Sequence, residues 1–187
     1  MTSAIVLAAG ASSRMGRPKA LLPIRGRTAV EVVCSTLRDG GADDVIVVVG
    51  CHAVEIRAEA NLRGVRVVEN ANWATGRTSS IQAGIAALPA DAEWTLLALV
   101  DMPMVRAVTV RAILAATSGS ADVVVPRHHV LRGHPIAIRR TLFPRIAALG
   151  PDEPLREVVR AARRVEVEVP DAGVLIDLDT PDDLREV

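Results

Sequence analysis

Short apolar runs alternate with helix-like stretches along the chain, and this alternation constrains the fold more than any other feature. Several of the runs are apolar on both faces, which is typical of strands in a parallel sheet covered by helices on each side. The pattern therefore predicts a three-layer α/β/α sandwich around a mostly parallel sheet. The seven predicted strands begin at Ala4, Asp44, Val65, Trp94, Ala121, Arg164 and Val174. The predicted helices lie near residues 28–39, 53–62, 78–88, 107–117, 140–149 and 154–163.

Two segments depart from this alternation. RGHPIAI, from Arg132, follows the fifth run after a short loop, so we expect a hairpin-like excursion rather than another crossover unit. RVEVEV, from Arg164, alternates strictly, as a half-exposed or edge strand does. With 187 residues and 50% hydrophobic content, the chain fits a single domain covering residues 1–187.

Charge and cysteine content exclude several classes of partner. The formal net charge is zero, so the chain lacks the global basic field that attracts nucleic acid or an anionic membrane. No apolar run approaches the roughly 18 residues of a membrane span, and the first strand begins without a signal sequence. Cys34 and Cys51 offer no disulfide framework. We therefore expect a cytoplasmic protein in which anion recognition is local.

The loop after the first strand is the first candidate for such recognition, because ligands of parallel α/β sheets bind beyond the carboxyl ends of the strands. The stretch reads LAAGASSRMGRPKALL, residues 7–22, and has the spacing neither of a P-loop nor of a dinucleotide fingerprint. It offers approachable amides at Gly10, hydroxyls and cations, which are the groups that a triphosphate needs. An ordinary turn with solvated charges is the alternative. The polar side chains of the loop are Ser12, Ser13, Arg14, Arg17 and Lys19.

Lysine occurs once in the chain, within this loop. All but one of the 22 basic residues are arginine, and the exception is Lys19. Lysine carries a compact charge on a flexible stem, whereas arginine is a planar donor fork. The pattern favours a specific need for an ammonium group at this place, with a lysine retained by chance as the alternative.

Acidic residues end two of the predicted strands. Asp101 follows the apolar run LLALV, where a carboxylate must be paired, solvated or bound to metal. Magnesium commonly binds one or two carboxylates together with substrate phosphates, so we predict a metal ligand here, with a helix N-cap as the alternative. Asp179 ends VLIDLD in the same way, and Asp177 alternates with it along the predicted strand. Thr180 and Asp183 are explained by the start of a helix.

The stretch TGRTSSIQAGI, from Thr75, predicts the start of another helix. Ser79 and Gln82 have capping-box spacing, which would leave the first amides of that helix free. Capping does not explain Gly76, Arg77 and Ser80. We expect these residues to line a base or substrate pocket.

The histidines indicate a binding role more than a metal site. His134, in RGHP, is a candidate binding residue, with an ordinary loop histidine as the alternative. His128, His129 and His134 lack the spacing of a zinc site. Cys51 and His52 follow a strand, but the sequence shows no acidic partner for a nucleophilic dyad.

The motifs LAAGASSRMGRPKALL, LVDMP, TGRTSSIQAGI, RGHP and DLDTPDDL, in this order, resemble those of the MobA-like nucleotidyltransferases. The likeness is closer to the branch of molybdenum cofactor cytidylyltransferases and covers essentially the whole chain. It implies a Rossmann-like fold of the nucleotide-diphospho-sugar transferase type. The residues LAAG, Leu7 to Gly10, are typical of the cytidylyl branch, whereas the guanylyl branch usually has LAGG.

The resemblance also implies roles for individual residues. The opening loop would bind the nucleotide phosphates, and Asp101 and Asp179 would hold Mg²⁺. The predicted catalytic residues are Arg14, Lys19 and Asp101, and the predicted substrate-binding residues are Arg77 and His134. The predicted nucleotide-binding residues are Leu7, Ala8, Ala9, Gly10, Ser12, Ser13, Arg14, Lys19, Gly76, Ser79 and Ser80. Arg77 and Thr78 stand where the branch usually has an aliphatic residue and Ser, and Met102 stands where Gln is frequent, so the acceptor is less defined than the reaction.

The implied reaction transfers CMP from CTP to the terminal phosphate of molybdopterin and releases pyrophosphate. The attacking oxygen is already an anion, so positioning and charge neutralisation would supply most of the catalysis. One alternative is CTP or another NTP with a sugar phosphate or other phosphorylated acceptor. A second is a non-catalytic carrier of the molybdenum cofactor, which Lys19 and the two aspartates disfavour. A molybdoenzyme or its chaperone is the expected recipient of the product.

Overall fold

The computed structural model describes residues 1–151 and 153–185. No helix in these ranges is long and apolar enough to cross a membrane. The strands are β1 (Thr2–Ala8), β2 (Pro23–Ile24), β3 (Arg27–Thr28), β4 (Asp44–Val49), β5 (Arg66–Glu69), β6 (Trp94–Leu99), β7 (Val123–His128), β8 (Leu131–Arg132), β9 (Ile136–Arg139) and β10 (Arg164–Glu168). The α-helices are α1 (Ala29–Asp39), α2 (Ala53–Glu59), α3 (Arg77–Ala86), α4 (Ala107–Ala115), α5 (Phe143–Ala147) and α6 (Leu155–Ala161).

Within the described ranges, eight strands form the main sheet, in the order β10-β7-β9-β6-β1-β4-β5 with β8 paired to β7. β1 is parallel to both β4 and β6, whereas β9 is antiparallel to β6 and β7. The chain passes from β1 to β4 on one side and later reaches β6 on the other, so the strand order reverses at β1. The carboxyl ends of strands at such a reversal are where open α/β sheets bind ligands.

The side chains of β1 divide the apolar core into two halves. Ala4 and Val6 face one side and pack with residues of α1, α2 and α4. Ile5 and Leu7 face the other side and pack with residues of α3, α5 and α6. Successive residues of a strand point to opposite faces, so both faces of a central strand must be apolar when helices cover both. The predicted three-layer sandwich is therefore confirmed.

The two predicted exceptions are also confirmed. The segment after Arg132 does not start another crossover unit: β9 enters the sheet antiparallel between β6 and β7. β10, the RVEVEV segment, is an edge strand that pairs with β7 alone among the described strands. Its charged side chains form ion pairs within the strand, as between Arg164 and Glu166, and with β7, as between Glu168 and Arg127.

The prediction of a seventh strand at residues 174–179 is wrong. Ala172–Leu175 forms a 3₁₀ turn, and the residues after it run outside the sheet. Both neighbours of β6 are already β1 and β9, so no place beside that strand is free for it. Val174 and Leu178 are fully buried, and this explains the apolar pattern. Alternating apolar residues predict burial on one side, which an extended segment outside a sheet also achieves.

The prediction that a helix starts with a capping box at Ser79 is wrong as well. α3 begins at Arg77, directly after Gly76, whose φ of 118° lies in the region that favours glycine. Ser79 is inside the first turn and donates a hydrogen bond to the carbonyl of Gly76 at 2.8 Å. The Gln82 amide donates to the carbonyl of Leu149 at 2.9 Å instead of capping the helix.

Candidate active site

A cleft of about 380 Å³ opens at the carboxyl ends of β1, β4 and β6. This volume falls within the range of about 300–1,000 Å³ that is usual for small-molecule sites. The structure brings most of the predicted site residues together in its lining. These are Leu7, Ala8, Ala9, Gly10, Ser12, Ser13, Arg14, Lys19, Gly76, Arg77, Ser80, Asp101 and Asp179.

The opening loop is shaped by its own hydrogen bonds and by one buried side chain. Ser12 has a positive φ of 52°, and its hydroxyl accepts a hydrogen bond from the backbone N–H of Lys19 at 3.0 Å. Met15 is buried under the loop and packs with Leu22. Arg17 turns away from the cleft and donates to the carbonyl of Leu21 at 2.8 Å. Of the three cations predicted here, the structure therefore places Arg14 and Lys19 in the cleft and Arg17 outside its lining.

The ammonium group of Lys19 lies between the two acidic residues of the cleft. Nζ is 2.9 Å from Oδ2 of Asp101 and forms a second, short hydrogen bond to Oδ1 of Asp179. Arg14 contacts the other oxygen of Asp179 at 2.8 Å. Two cations and two carboxylates thus alternate in one cluster. Their charges largely neutralise each other as the protein stands.

This cluster shifts the pKa values of its members. Burial of the ammonium works to lower the pKa of Lys19, but the hydrogen bonds and charges of Asp101 and Asp179 outweigh it, so the pKa lies above its usual value. The hydrogen bond from Lys19 lowers the pKa of Asp179, and the charges of Lys19 and Arg14 add to this effect against partial burial. Lys19 is therefore a cation and Asp179 an anion over a wide range of pH.

Asp179 reaches the cleft because the preceding residue is anchored. Leu178 is fully buried among Met15, Leu22 and Ile24. Its backbone N–H donates to the carbonyl of Asp101 at 2.8 Å. The next residue must therefore lie beside the end of β6. Asp177, which was expected to share a face with Asp179, is exposed.

The two carboxylates fit a divalent cation. Oδ1 of Asp101 is buried and has no hydrogen-bond partner among residues 1–151 and 153–185. Carboxylate oxygens are the ligands that Mg²⁺ prefers, and an unsatisfied buried acceptor is costly unless a cation or donor reaches it. The same ranges contain no group of three or more His, Cys, Asp or Glu residues that could hold a metal. An ion here would therefore need further oxygen ligands, such as substrate phosphates and water.

Two predicted binding residues lie outside the lining of the cleft. Ser79 accepts a hydrogen bond from the Asn70 amide at 2.9 Å and belongs to the support of α3. His134 lines a small apolar cavity of about 10 Å³ together with Met102. Burial lowers the pKa of His134, and the charge of Arg77 lowers it further, against the opposing charge of Asp101. His134 is therefore a neutral ring close to the cleft rather than a part of its wall.

The positions that depart from the family pattern differ in their surroundings. Arg77 lines the cleft, whereas Thr78 is buried and donates to the carbonyl of Glu153 at 2.9 Å. Met102 is also buried in the core. Of the three, only Arg77 is placed to contact a ligand directly.

The lining also contains His52, which the sequence analysis set aside, and Trp73, which it missed. Trp73 follows β5, so the rule about carboxyl ends could have selected it. His52 has an acidic neighbour that the sequence analysis did not identify, because its Nδ1 lies 3.2 Å from Oε1 of Glu55. The other ring nitrogen contacts the carbonyl of Ala11 at 3.1 Å. Both nitrogens are thus engaged elsewhere, and the ring does not activate Cys51.

Comparisons with known proteins agree with this geometry. A family model described as the MobA-like NTP transferase domain matches residues 4–167. Nicotine blue oxidoreductase from Paenarthrobacter nicotinovorans is 42% identical over 151 residues, which are 77% of this chain and 74% of that protein. Molybdenum cofactor cytidylyltransferase from Escherichia coli strain K12 is 27% identical over 180 residues, which are 96% of this chain and 91% of that protein.

Solved structures extend the likeness to the whole fold. Rv0371c from Mycobacterium tuberculosis H37Rv matches with a TM-score of 0.85 at 31% identity, covering 99% of this chain and 96% of that one. A structure of the same protein in complex with manganese matches with a TM-score of 0.79 at 30% identity and the same coverage. Family match, fold and the placement of the opening loop at a strand-order reversal all agree, and the chain belongs to the MobA-like NTP transferase family of nucleotidyltransferases.

Proposed function

We propose that this protein transfers CMP from CTP to the terminal phosphate of molybdopterin and releases pyrophosphate. The observation that carries the proposal is the convergence of Arg14 and Lys19 with Asp101 and Asp179 in one cleft. Similarity to the Escherichia coli cytidylyltransferase over 96% of the chain supports the choice of CTP and of molybdopterin. The LAAG sequence at the end of β1 supports the cytosine base.

The chemistry needs positioning more than a protein nucleophile. An oxygen of the acceptor phosphate attacks the α-phosphorus of CTP, and a new P–O bond forms. The bond from the α-phosphorus to the bridging β-phosphate oxygen breaks, and its electron pair leaves with pyrophosphate. Because the attacking oxygen is already an anion, no general base is required. Arg14 and Lys19 would stabilise the negative charge on the leaving pyrophosphate.

We propose Mg²⁺ as the cofactor, with Asp101 and Asp179 as its protein ligands. When bound, the ion supplies charge neutralisation at the donor phosphates. Oδ1 of Asp101, which is buried without a hydrogen-bond partner in the described part of the chain, and the manganese complex of Rv0371c support a divalent cation here. The flexible stem of Lys19 allows its ammonium to leave the carboxylates and contact the phosphates instead.

The relative named nicotine blue oxidoreductase favours a second candidate function, redox chemistry in the same cleft. That protein is more similar in sequence than the cytidylyltransferase, although over a shorter part of the chain. The paired carboxylates and Lys19 favour the transferase, because binding a reducible organic dye requires no triphosphate or metal site.

The test is a substrate matrix with purified protein. Each of the common NTPs is combined with Mg²⁺ and either molybdopterin or a sugar phosphate, and pyrophosphate is measured. Release only with CTP and molybdopterin supports the proposal, and the Asp101→Asn variant serves as the inactive control. Release of pyrophosphate with a sugar phosphate would show that the acceptor is a sugar phosphate and not molybdopterin. No release, together with catalysed reduction of nicotine blue by an added reduced cofactor, would establish the redox function. Molybdopterin binding alone would indicate a carrier.

A further inference from the structure

The ring of His52 lies between two hydrogen-bond acceptors. Nε2 is 3.1 Å from the carbonyl oxygen of Ala11, and Nδ1 is 3.2 Å from Oε1 of Glu55. A carbonyl and a carboxylate both accept and do not donate, so both bonds form only when both ring nitrogens carry hydrogen. Neutral imidazole has one N–H and would leave one nitrogen facing an acceptor. The geometry therefore favours the imidazolium form.

The location of this ring connects it to the opening loop. Ala11 lies between Gly10 and Ser12, in the part of the loop that lines the cleft. His52 itself is the residue before α2, and its carbonyl accepts the hydrogen bond of the Ile56 N–H at 3.0 Å. The first turn of α2 thus fixes the position of His52, and the hydrogen bond from His52 to Ala11 fixes the opening loop.

The charges of the pair are separated with respect to the cleft. The side chain of His52 is 21% exposed and lines the cleft, whereas that of Glu55 is 52% exposed and lies outside the lining. A positive charge therefore lies at the cleft while the compensating carboxylate faces solvent. Solvent screens the exposed carboxylate more strongly than the ring, so a net attraction for phosphate remains.

We propose that His52, as an imidazolium, positions the opening loop for the phosphates of the nucleotide and adds a positive charge to the cleft. The proposal rests on the proposed use of the cleft by an NTP. His52 acts here as a positioning residue through Ala11, and it needs no contact with the reacting atoms.

The surroundings of His52 determine the expected pH dependence. The hydrogen bond to Ala11 raises the pKa of His52, burial lowers it, and the hydrogen bond and charge of Glu55 raise it again, with a raised pKa as the result. Next to it in the chain is the thiol of Cys51, and the other charged side chains of the cleft are Arg14, Lys19, Arg77, Asp101 and Asp179. A raised pKa means that the charged form is present at low pH and is lost as pH rises through that value. Nucleotide affinity should therefore fall on the alkaline side.

The experiment is an NMR titration of the His52 ring in the full chain, with and without CTP, combined with CTP binding between about pH 6 and about pH 9. We expect CTP to raise the pKa of His52, and Glu55→Gln to lower it. In the wild type the Kd for CTP should rise about tenfold over this range, by the linkage between proton and ligand binding.

Two variants of His52 separate the effect of its positive charge from the effect of its hydrogen bond to Ala11. His52→Gln keeps one donor for Ala11 but no charge, so CTP binding should lose its pH dependence, and the Kd at neutral pH should rise to about the value that the wild type shows at high pH. His52→Ala removes both the charge and the hydrogen-bond donor for Ala11, so it should also disturb the conformation of the opening loop. His129→Gln, at an exposed loop residue, is the matched control and should match the wild type.

The outcomes distinguish this inference from the proposed function. CTP that binds without changing the pKa of His52, or a His52→Gln variant with the wild-type pH dependence, would overturn the inference alone. Failure of every NTP to bind the wild type would overturn the proposed function and the inference together.

Discussion

The backbone N–H of Leu178 donates a hydrogen bond to the carbonyl oxygen of Asp101 at 2.8 Å. Because Asp179 follows Leu178 directly, this contact sets the distance between the two carboxylates of the cleft. The buried leucine side chain fastens the segment at the same point. The geometry of a polar site therefore depends on one apolar residue that lies outside the lining of the cleft.

Leu178→Ala should destabilise the fold and loosen Asp179 at the same time. Loss of a fully buried leucine costs about 2–5 kcal/mol, which urea unfolding measures. Pyrophosphate release should then require a higher Mg²⁺ concentration, because one ligand is less well positioned. Leu178→Met conserves volume and should cost less than about 1.5 kcal/mol with the Mg²⁺ requirement retained. A folded Leu178→Ala protein with the wild-type Mg²⁺ requirement would contradict this reasoning.

Asp101→Asn and Lys19→Ala should each reduce turnover by at least about 100-fold. Removal of a preorganised charge stabiliser commonly has an effect of this size, and both side chains belong to the same cluster. Pyrophosphate release is the measurement, with circular dichroism to verify folding. Asp177→Asn, at an exposed position close by, should keep near-normal turnover. Near-normal pyrophosphate release by Asp101→Asn or by Lys19→Ala would show that the residue replaced in that variant is not catalytic.

Lys19→Met should bind Mn²⁺ more tightly than the wild type when no nucleotide is present. The ammonium of Lys19 contacts both carboxylates and therefore competes with a metal ion for them. Its removal should lower the Kd by at least about threefold, since even a screened charge at this distance contributes on the order of 1 kcal/mol. Electron paramagnetic resonance measures the concentration of free Mn²⁺ and therefore gives the Kd. Arg17→Met changes a cation of the same loop that points elsewhere, and equal Kd values for both variants would argue against the competition.

One thiol per chain should react with an aromatic disulfide reagent under native conditions. Burial raises the pKa of Cys34 to about 12, so this thiol stays protonated and shielded at pH values where reagents act. Cys51 is exposed. Absorbance of the released thiolate should report one equivalent in the native protein, two in denaturant, and none in native Cys51→Ser. Fast native labelling of Cys51→Ser would show that α1 opens readily.

Much of the architecture follows from local sequence. The apolar character of β1 on both faces predicts a central parallel strand, and Gly10 and Lys19 after it predict a loop for an anion. A carboxylate at the end of an apolar strand needs a partner, and this predicts a functional role for Asp101. These predictions depend on neighbours within a few residues, where periodicity and residue chemistry act directly.

Tertiary structure alone decided which distant groups meet. The sequence does not show that Asp179 would reach Asp101 from outside the sheet, since the same apolar pattern serves a strand or a docked segment. Nor does it show that His52 would hold Ala11, or that Ser79 would support α3 rather than line the cleft. Local pattern determines whether a side chain is buried and in what backbone state. Which side chain it contacts depends on packing between segments far apart in the chain. These contacts form only when the complete hydrophobic core has assembled.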